Sequence, residues 1–352
     1  MITVRKPGLL STIQDKGRFG YQAFGMPVAG AMDDYAAAAA NALLDNDANA
    51  AVLEMTFFGG EFEFKEELCI AIAGADMQAS LNGSPVANWS SFLVPANSIL
   101  SFGAVTKGCR TYLAVPGGFD VPLVMGSRST YTRAKIGGVS GRALAAADQL
   151  SACSKDKKAK VRQVPETWLP VYKEVTEIRV LLGPQDDLFT PEGTKTFLSE
   201  VYTLSNEADR MGFRFEGAKI EHCSGADIVS DALAFGSIQI PGHGSPIIMM
   251  ADRQTTGGYT KMATVIRADR TKLAQLKPGD KVKFAVCSEQ TALKAYSEQD
   301  ERVKRIYELP LASSEKVATT QSLVEPSGKP RQFVITVNDH QYDVQIVETS
   351  EK

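Results

Sequence analysis

The 352 residues carry 38 Lys and Arg against 41 Asp and Glu, a formal charge of −3, with 44% hydrophobic and 22% charged residues. That near-balance excludes a broad nucleic-acid-binding surface, which needs clustered positive charge, and the length predicts two domains. Five widely spaced cysteines without a CxxC pair, three histidines without HExxH spacing, and no apolar run of membrane-spanning length read as a cytoplasmic protein. Its thiols are expected to be reduced, and a histidine-built metal site is not expected.

In chain order, Gln14–Gly20 and Pro27–Asp33 are glycine-punctuated polar loops ahead of an alanine-rich helix expected over Tyr35–Leu44. Asp33 is its cap, accepting a backbone N–H that would otherwise suit an anion, and Asp45-Asn46-Asp47 ends it. Leu68–Ala73 is a buried strand, Asn82-Gly83 a hairpin turn, and Ser98–Phe102 an alternating strand, followed by a strand over Tyr112–Val115. Gly137–Gly141 has its serine one place too late for a nucleophile elbow and reads as a glycine loop. Ala147–Leu150 starts another short strand, and the basic run Ser154–Lys160 marks a solvated linker.

The second half continues with a strand at Ile178–Leu181 and an Asp209-Arg210 pair before the next strand, either a structural ion pair or a pocket wall. A strand at Ile247–Met250 then runs into Ala251-Asp252-Arg253-Gln254-Thr255-Thr256-Gly257-Gly258-Tyr259. Polar side chains and glycines at the end of an apolar strand suit a lined pocket, glycines allowing a ligand close to the backbone; a polar network bracing a barrel end is the alternative. Within Gln239–Thr264, Asp252 would orient Arg253 or take a proton, and Arg253 would hold a carboxylate or phosphate in its planar fork. Gln239, Gln254, Thr255 and Thr256 supply neutral groups suited to amides, with Gly257, Gly258 and Tyr259 completing the wall. A helix over Arg270–Leu276 stops at Pro278-Gly279, Lys281–Val286 alternates as a strand, and a polar helix covers Glu289–Glu308. A polar linker, Ala312–Pro330, precedes a hairpin over Gln332–Val347 turning at Asn338-Asp339. Pro95–Phe102 and Pro278–Phe284 repeat one pattern, a proline turn followed by an alternating strand.

The stretches IQDKGRFGYQAFGMPVAGAMD, IAGADM, YLAVPGGFDVPLVMGSRSTY, GPQDDLF, DRMGFR, ADRQTTGGYTKMATV and QLKPGD lie in order across residues 1–288. Together they resemble the allophanate hydrolase subunit 2 family, also known as KipA-like proteins or as the C component of 5-oxoprolinase. The resemblance implies a mainly β fold of two cyclophilin-like β-barrel domains with a few short helices, placed at 1–160 and 175–288. A helix and linker (289–330) and a hairpin (331–352) similar to the start of a biotinyl carrier domain would follow. It implies a partner, the KipI-like or allophanate hydrolase subunit 1 protein, and a small amide substrate; neither nucleic acid nor membrane is expected as a partner. The activities implied are ATP-dependent opening of 5-oxoproline to glutamate with a separate lactam-opening subunit, biotin-dependent carboxyl transfer to urea, or non-catalytic antagonism of a KipI-like kinase inhibitor. The first is the favoured expectation. ATP would act at the complex and not through a P-loop on this chain, and biotin would arrive on another chain, since the hairpin lacks the biotin-accepting Met-Lys-Met. On this reading Arg210 and Arg214 add positive charge. His243, in a His243-Gly244-Ser245-Pro246 loop that departs from the family's pattern, is a candidate base alongside Asp252 and Arg253.

Overall fold

The computed structural model describes residues 1–154, 160–311, 331–337 and 340–346. The linker segments 155–159 and 312–330 and the Asn338-Asp339 turn lie outside the described residues. Residues 1–316 form one unit and 317–352 a second. In the second, Arg331–Val337 and His340–Ile346 pair antiparallel, from Arg331 opposite Ile346 to Val337 opposite His340.

The first half of the large unit is built from two six-stranded sheets. One runs Gln149–Leu150, Ile2–Lys6, Glu61–Phe64, Ser98–Ser101, Ser80–Leu81 and Ser84–Pro85; the other runs Arg162–Gln163, Ser90–Val94, Leu68–Asp76, Lys107–Ala114, Val52–Thr56 and Leu10–Gln14. Alternation puts Phe62 and Phe64 of the first sheet against Leu53, Ile70, Ile72 and Leu113 of the second in one shared core. The hairpin at Asn82-Gly83 has positive φ at both central residues, 51° and 84°, as its tight turn requires.

The second half closes as a seven-stranded barrel: Val175–Leu182, Lys261–Val265, Ser237–Gln239, Ile247–Met249, Gly212–Glu216, Tyr202–Ala208 and Lys281–Val286, the last returning parallel to the first. The barrel is filled by aromatic and branched side chains, with Phe197 and Phe284 stacked at 4.6 Å between ring centres. The mainly β architecture expected from the sequence is therefore present, closed as a barrel in the second half and layered as two sheets in the first. The two proline turns differ in backbone detail, since the positive φ falls two residues after Pro95, at Asn97, but one residue after Pro278, at Gly279.

Four α-helices occur among the described residues: α1 (Asp34–Leu43), α2 (Pro191–Ser199), α3 (Arg270–Ala274) and α4 (Glu289–Tyr307). No described helix is long and apolar enough to cross a membrane. The second was not expected; Thr190 caps it by accepting from Gly193 N, and Pro191 supplies a pre-set φ at its first position. α1 lies buried between the second sheet and α4, its alanines allowing close approach. Asp33 caps it, accepting from Ala36 N at 3.0 Å and from Gln275 Nε2 of the barrel half at 2.7 Å. All five cysteines are free thiols.

Burial outweighs these hydrogen bonds and pushes the Asp33 carboxyl up from 3.8 to about 7. The folded state then holds a proton that the unfolded chain releases, so this group's stabilising contribution is full below pH 4 and declines as pH rises towards 7. Urea unfolding of the wild type and Asp33→Asn across that range should show the difference in stability drifting against the wild type with rising pH; a constant difference would contradict the assignment.

Candidate functional site

The Asp209-Arg210 turn leads from the strand Tyr202–Ala208 into Gly212–Glu216 and aims the Arg210 side chain at the first half. Its guanidinium donates to both oxygens of Asp252, at 3.0 and 2.9 Å, to Gly30 O at 2.6 Å, and to Glu54 Oε1. Glu54 Oε2 accepts from Tyr112 Oη and from Met32 N, both at 2.8 Å. All of these side chains are buried. Burial would by itself lower the arginine's pKa, but Asp252 and Glu54 more than offset it and hold Arg210 charged, above its ordinary value. The backbone repeats the tie, since Asp252 N donates to Arg210 O at 2.7 Å.

Asp252 is consequently a bracing residue: both its oxygens are committed to Arg210, so the expected proton-accepting or Arg253-orienting role is corrected. A buried carboxylate needs a cation, and the nearest is not its neighbour in sequence. Of the alternatives open for Arg210, the structural ion pair is found, with Asp252 and Glu54 as its partners and not Asp209.

Arg253 turns the other way. Its Nε donates to Leu233 O at 3.0 Å and its Nη1 to Met250 O at 3.3 Å, and the side chain lines a cleft of about 640 Å³. One wall is α1 with Val28, Ala31 and Val52; the opposite wall carries Phe235, Arg267, Arg270, and Tyr296 of α4. Arg253 and Arg270 lie over the same Phe235 ring, at 5.8 and 4.7 Å, and Arg267 lies 4.6 Å over Tyr296. Arg267 also pairs with Asp34 at 3.3 Å. Burial and the neighbouring Arg270 charge pull Arg253 down to about 10, leaving it charged at neutral pH.

The rest of the expected strip is separated from this cleft. Gln239 is buried and donates to Tyr259 O at 3.2 Å; a Cβ on Gly257 would stand 2.7 Å from its amide nitrogen, so this glycine makes room for Gln239, not for a ligand. Thr256–Tyr259 is a strand, paired with Asp227–Ala232 in a two-stranded ribbon. Gln254, Thr256 and Tyr259 are exposed, Thr255 and Gly258 half-buried, and none of these lines the cleft. Arg214 points outward between buried Phe213 and Phe215 and pairs with exposed Glu207, so it does not join Arg210. His243 is exposed on the turn before the strand Ile247–Met249 and does not line the cleft.

The glycine-punctuated loop before α1 has its own buried polar cluster. Asp15 accepts from Ser127 Oγ, Ser129 Oγ, Gly17 N and Arg128 N, while Arg18 donates to Val124 O and Ser129 O. Gly137 and Gly138 close over it, where a Cβ would collide with Ser129 O at 2.0 Å and Thr130 Oγ1 at 1.9 Å. Among described residues no group of three metal-ligating side chains occurs.

A family model described as the carboxyltransferase domain, subdomain A and B, matches residues 24–286. This chain belongs to that family. The carboxyltransferase-domain chain is 38% identical over 285 residues to the C component of 5-oxoprolinase from Haemophilus influenzae, covering 81% of this chain and 90% of the relative. The component of the same name from Escherichia coli is 36% identical over 301 residues, covering 85% and 95%. Among solved structures, the urea amidolyase of K. lactis superposes with a TM-score of 0.82 at 28% identity; it covers 96% of this chain, which spans only 22% of that protein.

Removing one member of a buried ion group strands the others, so Arg210→Met is expected to cost about 3–5 kcal/mol, read by urea unfolding. Arg214→Met, which breaks an exposed pair, should change stability by less than about 1 kcal/mol. Equal effects would contradict the placement of the two arginines.

Proposed function

We propose that this chain is one subunit of a multi-subunit enzyme that opens the lactam ring of 5-oxoproline to give glutamate, acting with a KipI-like partner and with ATP supplied at the complex. The observation carrying this reading is the near end-to-end correspondence with two proteins named as the C component of 5-oxoprolinase, at 90% and 95% of their lengths. The chemistry of the cleft fits it: the substrate is a small ring with one carboxylate, and the cleft combines apolar walls with three guanidinium groups at one end. In the overall reaction the ring C–N bond breaks, the carbonyl carbon gains a water-derived oxygen, and the nitrogen stays on the α-carbon as glutamate's amino group. A second water takes up the phosphoryl group of ATP to give ADP and phosphate. No step is assigned to Asp252, whose carboxylate holds Arg210, or to His243, which lies off the cleft.

One observation favours a second reading, a carboxyltransferase component acting on urea with biotin carried by another chain. By sequence, the match to the urea amidolyase of Saccharomyces cerevisiae extends over 92% of this chain, against 81% and 85% for the two 5-oxoprolinase relatives. Reconstitution with the partner subunits decides between them. The first reading predicts glutamate and ADP formed in proportion from 5-oxoproline, with no turnover of urea in the presence of a biotinylated carrier. Carboxylation of urea with no release of glutamate from 5-oxoproline would overturn it.

A further inference from the structure

We propose that the cleft between α1 and the Phe235–Arg270 wall binds an organic carboxylate that also carries an N–H, with Arg253 and Arg270 holding the carboxylate and Asp34 accepting from the N–H. This inference rests on the amide-processing reading and deepens it, because it adds to Arg253 two residues, Arg270 and Asp34, that sequence patterns did not single out.

Three arginines share the cleft, and only Arg267 is paired directly with a carboxylate, Asp34, whose charge also attracts Arg270. Arg253 donates only to backbone carbonyls, and among the described residues Arg270 donates no hydrogen bond. Two like charges brought against the same aromatic ring repel each other, and burial aggravates the cost. A bound anion removes that repulsion and supplies the missing acceptor. Arg270 Nε and Asp34 Oδ1 are both buried without a hydrogen-bond partner among the described residues, one a donor and the other an acceptor. Native proteins leave few such atoms unpaired, and two of opposite character on residues lining one cleft call for a ligand with one acceptor group and one donor group. A carboxylate beside an amide N–H meets that demand, with its carbon skeleton against Val28, Ala31 and Ala38.

The test uses the full chain in titration calorimetry with four probes: 5-oxoproline, pyrrolidone (the same ring without its carboxylate), acetate, and inorganic phosphate. Saturable binding of 5-oxoproline is expected, at least about tenfold tighter than pyrrolidone, because the two rings differ only by a charged group. Arg270→Gln should weaken 5-oxoproline about tenfold while moving the melting temperature by no more than about 2 °C, since Arg270 braces no described backbone. Asp34→Asn should weaken 5-oxoproline without weakening acetate, which lacks the N–H and gains from the removal of a neighbouring negative charge. Pyrrolidone binding as tightly as 5-oxoproline, phosphate binding more tightly than either, indifference to Arg270→Gln, or no heat at about 10 mM ligand would each overturn the proposal. In the reconstituted enzyme, 5-oxoproline turnover with an unchanged KM in Arg270→Gln removes the site and keeps the activity. Carboxylate binding lost in Arg270→Gln, without turnover of 5-oxoproline, keeps the site and removes the activity.

Discussion

A guanidinium can lie deep inside a protein only when carboxylates and carbonyls replace its lost water, and Arg210 obtains them from both halves of the chain. Glu54 and Gly30 belong to the two-sheet half; Arg210 and Asp252 belong to the barrel. Tyr112 and Met32 N hold Glu54 in place by occupying its other oxygen. The ion group therefore fixes the orientation of one half against the other, which apolar contact alone would specify less sharply. A second polar tie runs parallel to it: Gln275 Oε1 accepts from Cys109 N and Arg110 N, its amide donates to Asp33, and Arg110 donates to Ala274 O.

The cleft follows from that arrangement. Its α1 wall comes from the first half and its arginine wall from the second, so the distance across it is set by the interlock. α4 completes the enclosure, anchored to the first half where Tyr307 Oη donates to Asn46 O and Arg162 donates to Leu309 O. Asp252 and Arg253, adjacent in the chain, divide the work: one faces the interlock and the other faces the cleft.

The local features were legible in the sequence because they depend on near neighbours. The alanine-rich helix and its Asp33 cap, the Asn82-Gly83 hairpin, the alternating strand Lys281–Val286 and the polar helix ending near Glu308 all follow from propensity and turn chemistry. The unexpected α2 has a usable capping signal of its own in Thr190-Pro191. The outward direction of Arg214 was also readable, since it alternates with Phe213 and Phe215. What the sequence could not show was convergence. Arg267 and Arg270 stand three apart, on one helical face, yet nothing local says that this face meets Asp34 some 230 positions earlier. The strip 251–259 stands out by its polarity, but the partner of each polar group is set by distant residues: Arg210 for Asp252, Gln239 for Gly257, and the ribbon strand Asp227–Ala232 for Thr256–Tyr259.

The most direct measurement of the interlock is a double-mutant cycle pairing Glu54→Gln with Arg210→Met, followed by urea unfolding. The two residues are in contact across the halves, so a coupling of about 2 kcal/mol or more is expected, the double variant being far less damaged than the sum of the singles. Effects that add to within about 0.5 kcal/mol would show that Arg210 and Glu54 act independently, and would contradict the claim that this buried ion group holds the two halves, and with them the cleft, in place.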